Sequence, residues 1–156
     1  MAIETVQIRR AESNEAASLS AIARAAKGVW GYPAEWMELW AEQLTFTAEY
    51  IDAHRVFVAA IGGAPIGVTV LQMTATAAFL EHVWIDPAHQ RRGIGRELVR
   101  EALSAAAALG VKGVGVIADP YAETFYLKLG AHRTGAVPAP MPGSPDRMLP
   151  ALEFRL

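Results

Sequence analysis

Apolar and polar positions alternate from Ile3 to Arg9, with Ile3, Val6 and Ile8 against Glu4, Gln7 and Arg9 and a slip at Thr5-Val6. This predicts an opening strand. Ser13-Asn14-Glu15 marks a helix start, with Ser13 or Asn14 as N-cap, and Leu19, Ile22, Ala23 and Ala26 follow at helical spacing. Gly28 and Gly31 end that helix. Pro33 suits the first turn of a second one carrying Trp36, Met37, Leu39 and Trp40, and Thr47 is a cap for a further turn through Ile51. Arg55 to Ile61 and Ile66 to Met73 read as strands joined by a hairpin turn at Gly62-Gly63-Ala64-Pro65. Phe79 to Ile85 is the next strand. From Gly93 to Leu109 the pattern changes period, with Ile94, Leu98, Val99, Ala102, Leu103 and Ala106 on one side and Gly110 as C-cap. Gly113 to Ala118 predicts a strand buried on both faces. Tyr121 to Leu129 predicts a helix ended by Gly130. Residues 136 to 150 hold Pro138, Pro140, Pro142, Pro145 and Pro150, a stiff loop that excludes helix interior and central strand. Ala151 to Leu156 reads as a terminal strand.

These elements predict a mixed α/β chain with a central sheet of six to seven strands flanked by about four helices. Its antiparallel hairpins meet a parallel strand-helix-strand crossover, right-handed by default. A length of 156 residues with no linker or repeat fits one domain over residues 1–156. The net charge of −2 argues against a nucleic-acid binder or a polybasic membrane surface. There is no cysteine, which removes disulfides, thiolate nucleophiles and cysteine zinc sites together. His54, His82, His89 and His132 show no metal-ligand spacing, so no metal is expected. Met1 to Arg10 lack the basic-then-apolar pattern of a signal peptide, and no apolar run has transmembrane length. A cytoplasmic protein is expected. A homodimer is compatible with the sequence, which does not specify oligomeric state.

The most specific feature is Gln90-Arg91-Arg92-Gly93-Ile94-Gly95, set between the Phe79 to Ile85 strand and the long helix. A glycine turn at a helix start leaves backbone N–H groups converging where the helix dipole adds positive charge. Gly93 and Gly95 leave room for an anion to approach the backbone, and Arg91, Arg92 and Arg96 add charge nearby. A phosphate or pyrophosphate is the natural guest. The spacing is neither the dinucleotide G-x-G-x-x-G nor the P-loop. It resembles the coenzyme A pyrophosphate loop of the GNAT-type N-acetyltransferase superfamily. About 30 residues on, Asp119 to Ala131 (DPYAETFYLKLGA) resembles that superfamily's second signature, in which Ala and then Phe-Tyr lead to Leu-Gly. Together the resemblance covers residues 54 to 135.

The resemblance implies direct acetyl transfer from acetyl-coenzyme A to an amine. The pyrophosphate is then expected on the backbone of Arg91 to Arg96, beside Gln90, and the pantetheine arm along the backbone of Val83, Trp84 and Ile85. Asp119, Ala122 and Phe125 belong to the same coenzyme site. Asp119 stands where the family often has Asn, and an ionised carboxylate only accepts hydrogen bonds, so the amide's donation to the arm is lost. Tyr126 takes the position whose hydroxyl faces the coenzyme sulfur, and a phenol with a pKa near 10 can donate a proton. Glu81, on the strand before the loop, is the candidate base, directly or through a water. An acceptor amine that is already neutral needs no base. Regular strand alternation would point His82 to the opposite face.

The acceptor is expected to be a small-molecule amine, with a peptide N-terminus or a protein lysine as alternatives. A non-catalytic acyl-coenzyme A sensor and a module for another nucleotide are the competing functions. By resemblance the Trp30-Gly31-Tyr32 connection borders the acceptor pocket, so Trp30 and Tyr32 are candidate substrate contacts. Arg147 and Asp146 are the only charges of the proline loop. They form either an exposed surface pair or, with Arg147 turned inward, one wall of the acceptor site able to meet a carboxylate.

Overall fold

Gly62 and Gly63 both lie in the left-handed region, with φ of 56° and 84°. That conformation suits a tight two-residue hairpin whose twist matches its strands. It joins β2 (Arg55–Ile61) to β3 (Ala64–Met73). The computed structural model describes residues 5–156. Around this hairpin β1 (Val6–Arg10), β4 (Ala78–Ile85), β5 (Gly113–Ile117), β6 (His132–Pro138) and β7 (Met148–Arg155) complete a seven-stranded sheet in the order β1-β2-β3-β4-β5-β7-β6. All neighbours are antiparallel except β4 and β5. Ile3 lies outside the described residues.

Five α-helices accompany the sheet among the described residues: α1 (Ala16–Gly28), α2 (Ala34–Trp40), α3 (Ala48–Ala53), α4 (Ile94–Ala108) and α5 (Glu123–Lys128). Thr47 caps α3, accepting from Tyr50 N–H at 3.0 Å. Neither Ser13 nor Asn14 caps α1. Both lie in a 3-10 turn, where the Glu15 carboxylate accepts from Glu12 N–H at 2.8 Å and pairs with Arg9.

The α4 stripe of Ile94, Leu98, Val99, Ala102 and Ala106 is buried against Phe57, Ile66, Leu80, Val114 and Leu152. Leu19, Ile22 and Ala23 of α1 cover the alternate residues Val56, Val58, Val68 and Val70. Each fully buried Leu or Val contributes about 1.5–3 kcal/mol, which fixes the helices on opposite faces of one sheet.

Three expectations change on folding. β5 is buried on one face only, through Val114 and Val116, whereas Ile117 is 46% exposed. The Tyr121 to Leu129 helix begins as a 3-10 turn, Pro120–Ala122, before α5. The proline segment is a loop over 139–147, as expected, but both its ends are strand: β6 runs to Pro138, and Pro150 lies inside β7 opposite Ala136. Proline is tolerated there because β6 is the sheet edge and the β7–β5 ladder begins only at Ala151. Pro150 contributes its carbonyl instead, accepting from Ala118 N–H at 2.9 Å.

Two irregularities set up the site. Thr69 faces Val83 and Leu71 faces Leu80, so Val70 alone opposes both Glu81 and His82, a β-bulge. The parallel ladder between β4 and β5 consists of the single pair Phe79↔Gly115. A Cβ on Gly115 would sit 3.1 Å from the Phe79 ring, so glycine is what lets the strands meet there. Beyond that point β5 follows β7, and β4 presents an open edge.

Candidate active site

The glycine loop is built as a concave row of amides. Gly93, at φ 77°, is the N-cap of α4, and Arg91 also lies in the left-handed region at φ 64°. Left-handed residues alternating with helical ones turn successive N–H groups toward one point, a geometry suited to anions. Glu97 N–H bonds back to Gly93 O at 3.2 Å, while the preceding N–H groups of α4 have no intrahelical carbonyl to meet. Arg91, Arg92, Gly93 and Arg96 are exposed. Gln90 donates from its side-chain amide to Ile85 O at 3.3 Å, tying the loop to the end of β4.

The two glycines prove to have different reasons. A Cβ at Gly93 would meet nothing within 4 Å, so its lack of a side chain serves the backbone conformation and leaves the approach clear. A Cβ at Gly95 would lie 3.2 Å from the Phe125 ring and 3.7 Å from Ile85 Cγ1. Gly95 therefore also admits α5 against α4, a packing reason that the sequence alone does not show.

Between the parted strands lies a cavity of about 690 Å³. Glu81, His82, Val83 and Trp84 line it from β4, Asp119, Ala122 and Tyr126 from the β5–α5 side, and Trp30 and Arg147 from two further segments. Tyr126 is 7% exposed and packs on Phe125 and Phe154. Its hydroxyl has no hydrogen-bond partner among the described residues. Burial, with a smaller contribution from the Asp119 charge, pushes the phenol well above its usual range, so it stays protonated. Glu81 is exposed on the opposite wall. Nearby, Tyr50 is pushed up to about 12 by burial first and the Glu81 charge second.

His82 departs from strand alternation. The bulge turns it into the same cavity as Glu81, its ring centroid 5.0 Å from that of Phe46. Trp84 Nε1–H donates to His82 Nδ1 at 2.8 Å. The neutral imidazole therefore carries its proton on Nε2 and faces the site as a donor. Burial pushes its pKa down to about 4. Because that value lies below the ordinary 6.5, the unfolded chain binds the proton first as pH falls. Stability should drop between about pH 6.5 and pH 4, by about 3 kcal/mol in all. His82→Gln should shrink the melting-temperature difference between pH 7 and pH 4.5; equal losses in both proteins would refute the buried neutral histidine.

Asp119 sits where β5 ends. Its carboxylate accepts from Tyr121 N–H at 2.9 Å, from Tyr32 O–H at 2.8 and 2.9 Å, and from Lys27 Nζ at 2.8 Å, with Arg147 Nη2 at 3.9 Å. Burial raises Tyr32 to about 12, helped by Asp119. Arg147 is not an exposed partner of Asp146. Its side chain is 9% exposed, and its guanidinium lies 5.3 Å from the Trp40 ring centroid and 5.5 Å from that of Trp36. The proline loop is held over it by Trp36 Nε1–H to Pro142 O at 2.9 Å. Trp30 stacks on Tyr121 at 5.7 Å and meets Trp84 at 6.2 Å, and Tyr32 stacks on Trp36 at 5.6 Å.

Lys27 escapes the sequence reading. At the end of α1 it looks like an ordinary helix-terminal cation, and its partner Asp119 is 92 residues away. Its side chain is 12% exposed, with Nζ 4.1 Å from the Trp40 ring centroid. Burial lowers its pKa, against the pull of Asp119. The density of aromatic residues from Trp30 to Trp40 was the one signal that this end of α1 borders a site. A second recess of about 340 Å³, between α4 and α5, is lined by Arg96, Arg100, Lys128 and Phe125.

A family model described as acetyltransferase (GNAT) family matches residues 18–131. The chain belongs to the GNAT family. Its class of chemistry is thus acetyl-coenzyme A-dependent N-acetyl transfer. The GNAT fold recurs in solved structures at low identity. A paia N-acetyltransferase from Thermoplasma acidophilum, crystallised with coenzyme A, matches with a TM-score of 0.77 at 20% identity, over 97% of this chain and 99% of that one. A GCN5-related N-acetyltransferase from Rhodopseudomonas palustris gives 0.81 at 20%, over 100% and 99%. The ribosomal-protein-S18-alanine N-acetyltransferase of Escherichia coli gives 0.72 at 17%, over 97% and 94%. No curated protein matches the chain. No helix among the described residues is long and apolar enough to cross a membrane.

Proposed function

We propose that this GNAT chain, as a single cytoplasmic domain, acetylates the amine of a small molecule by direct transfer in a ternary complex. The observation that carries this is the parting of β4 and β5 beyond Phe79–Gly115, with Tyr126 beneath and the amide row of the glycine loop at its end. The pyrophosphate of coenzyme A suits the amides of Arg91 to Arg96, and the open edge at Val83, Trp84 and Ile85 offers strand-like partners to the pantetheine amides. Because Asp119 is held by Lys27, Tyr32 and Tyr121, its part in the coenzyme site is backbone placement rather than a side-chain bond. Ala122 lines the channel, and Phe125 holds α5 against Gly95.

In the transfer, the amine nitrogen bonds to the thioester carbon and the carbon–sulfur bond breaks. Glu81 takes the amine proton, directly or through a water, and Tyr126 O–H faces the departing sulfur. His82 cannot serve as base while Trp84 occupies Nδ1 and Nε2 carries the proton, so it acts as a hydrogen-bond donor to the acceptor side. With no cysteine in the chain, a cysteinyl acyl-enzyme is not on the path. A half-open cavity of about 690 Å³, covered on one side by the proline loop, has the volume typical of small-ligand sites.

Thiol release from acetyl-coenzyme A across a panel of amines tests the function. If no amine of the panel raises thiol release above the buffer rate, although coenzyme A binds, the chain is a sensor. In Glu81→Gln the rate should fall most near neutral pH and partly recover at high pH, where more amine is already neutral. An equal loss at every pH would mean that Glu81 positions substrate instead.

A further inference from the structure

Inside the acceptor end of the cavity the charges do not balance. Lys27 and Arg147, with side chains 12% and 9% exposed, face one carboxylate, Asp119, which is 7% exposed. No other carboxylate lies within ion-pair distance of either cation among the described residues. The two remaining acids of the cavity lining besides Asp119, Glu42 and Glu81, are exposed. A buried cation without a counter-charge is costly, and two with one anion leave a positive charge uncompensated.

Both cations also keep donors in reserve. Lys27 has three N–H groups and one acceptor, Asp119 Oδ2 at 2.8 Å. Arg147 has five N–H donors; besides an interaction with the Tyr32 hydroxyl, its contacts with Ala139 O at 3.4 Å and Asp119 at 3.9 Å are both longer than a good charge-assisted bond of about 2.7–2.9 Å. The aromatic walls would otherwise suit a cationic guest. Here Lys27 already fills them, at 4.1 Å from Trp40, 5.2 Å from Tyr32 and 5.8 Å from both Trp30 and Trp84.

We propose that the acceptor is an amino carboxylate, whose carboxylate docks between Lys27 Nζ and the Arg147 guanidinium while its amine faces the β4 wall. This rests on the acetyl transfer proposed above. The carboxylate supplies the missing counter-charge and takes the unused donors, and the aromatic rings pack on the carbon chain between the two ends.

The test uses matched pairs in the wild-type enzyme: glycine, β-alanine, 4-aminobutyrate and aromatic amino acids against their carboxamides. Two readouts are taken, thiol release and the tryptophan fluorescence of the coenzyme A-loaded protein. At least one acid should exceed its amide by roughly 10- to 100-fold in kcat/KM, the range of a charge-assisted hydrogen bond. Arg147→Gln and Lys27→Met should each erode that preference by raising the acceptor KM, with the acetyl-coenzyme A KM nearly constant. Coenzyme A binding with no acid preferred over its amide in either readout overturns the carboxylate site and leaves the acetyl transfer standing. Failure to bind coenzyme A at all overturns the acetyl transfer itself. A preference that survives intact in both variants places the carboxylate elsewhere and also overturns the proposal.

Discussion

Tyr126→Phe should slow turnover by roughly 10- to 1000-fold while leaving coenzyme A affinity and melting temperature nearly unchanged. The cleanness of this test comes from the fold. Tyr126 is buried among Phe125 and Phe154, and its hydroxyl has no partner among the described residues, so phenylalanine removes no structural hydrogen bond. Any loss of rate is then a loss of chemistry. The same burial refines the role. A phenol raised well above its ordinary range is a poor match for outright proton transfer to a thiolate whose conjugate acid lies near 8.5. It is, however, a dependable hydrogen-bond donor to sulfur as negative charge develops. A preorganised donor of that kind contributes about 2.7–4 kcal/mol, which falls within the rate range given above. If the folded variant turns over at the wild-type rate, another group or water meets the sulfur.

What was legible in the sequence was what local chemistry specifies. The Gln90 to Gly95 loop, the α4 stripe, the Gly62-Gly63 hairpin and the Phe125-Tyr126 pair each depend on residues within one turn or one helix. The illegible parts come from distant partners. Nothing around Glu81 or His82, neither glycine nor proline, announces the bulge opposite Val70, because it arises where β3 and β4 pair. That bulge is why both residues face the cavity. The strand places of Pro138 and Pro150 are not legible locally, because they depend on which strand forms the sheet edge. The packing role of Gly95 is equally hidden, because it depends on Phe125, 30 positions on. Arg147 and Lys27 illustrate the same limit at the acceptor end, since both are aimed by Asp119 and by the aromatic rings rather than by their neighbours.

Asp119→Asn should destabilise the protein by about 3–5 kcal/mol, even though it installs the residue that the family often carries there. The amide can still accept from Tyr121 N–H and keep the 3-10 turn capped. It cannot supply the charge. Lys27 at 2.8 Å and Arg147 at 3.9 Å would then face each other in the aromatic box with no anion between them. Removing one cation as well should restore balance: Lys27→Met with Asp119→Asn leaves Arg147 alone, so the double variant should regain much of the stability lost by Asp119→Asn. Chemical denaturation of the wild type, the two single variants and the double gives the coupling directly. A coupling near zero would mean that water screens the pair despite its burial. A large one means that this chain has exchanged a side-chain contact with its coenzyme for a charge that holds two buried cations over the acceptor. The same cycle predicts an order of anion affinity. In Asp119→Asn the competing carboxylate is gone, so acceptors carrying a carboxylate should raise the melting temperature of this variant more than that of the wild type.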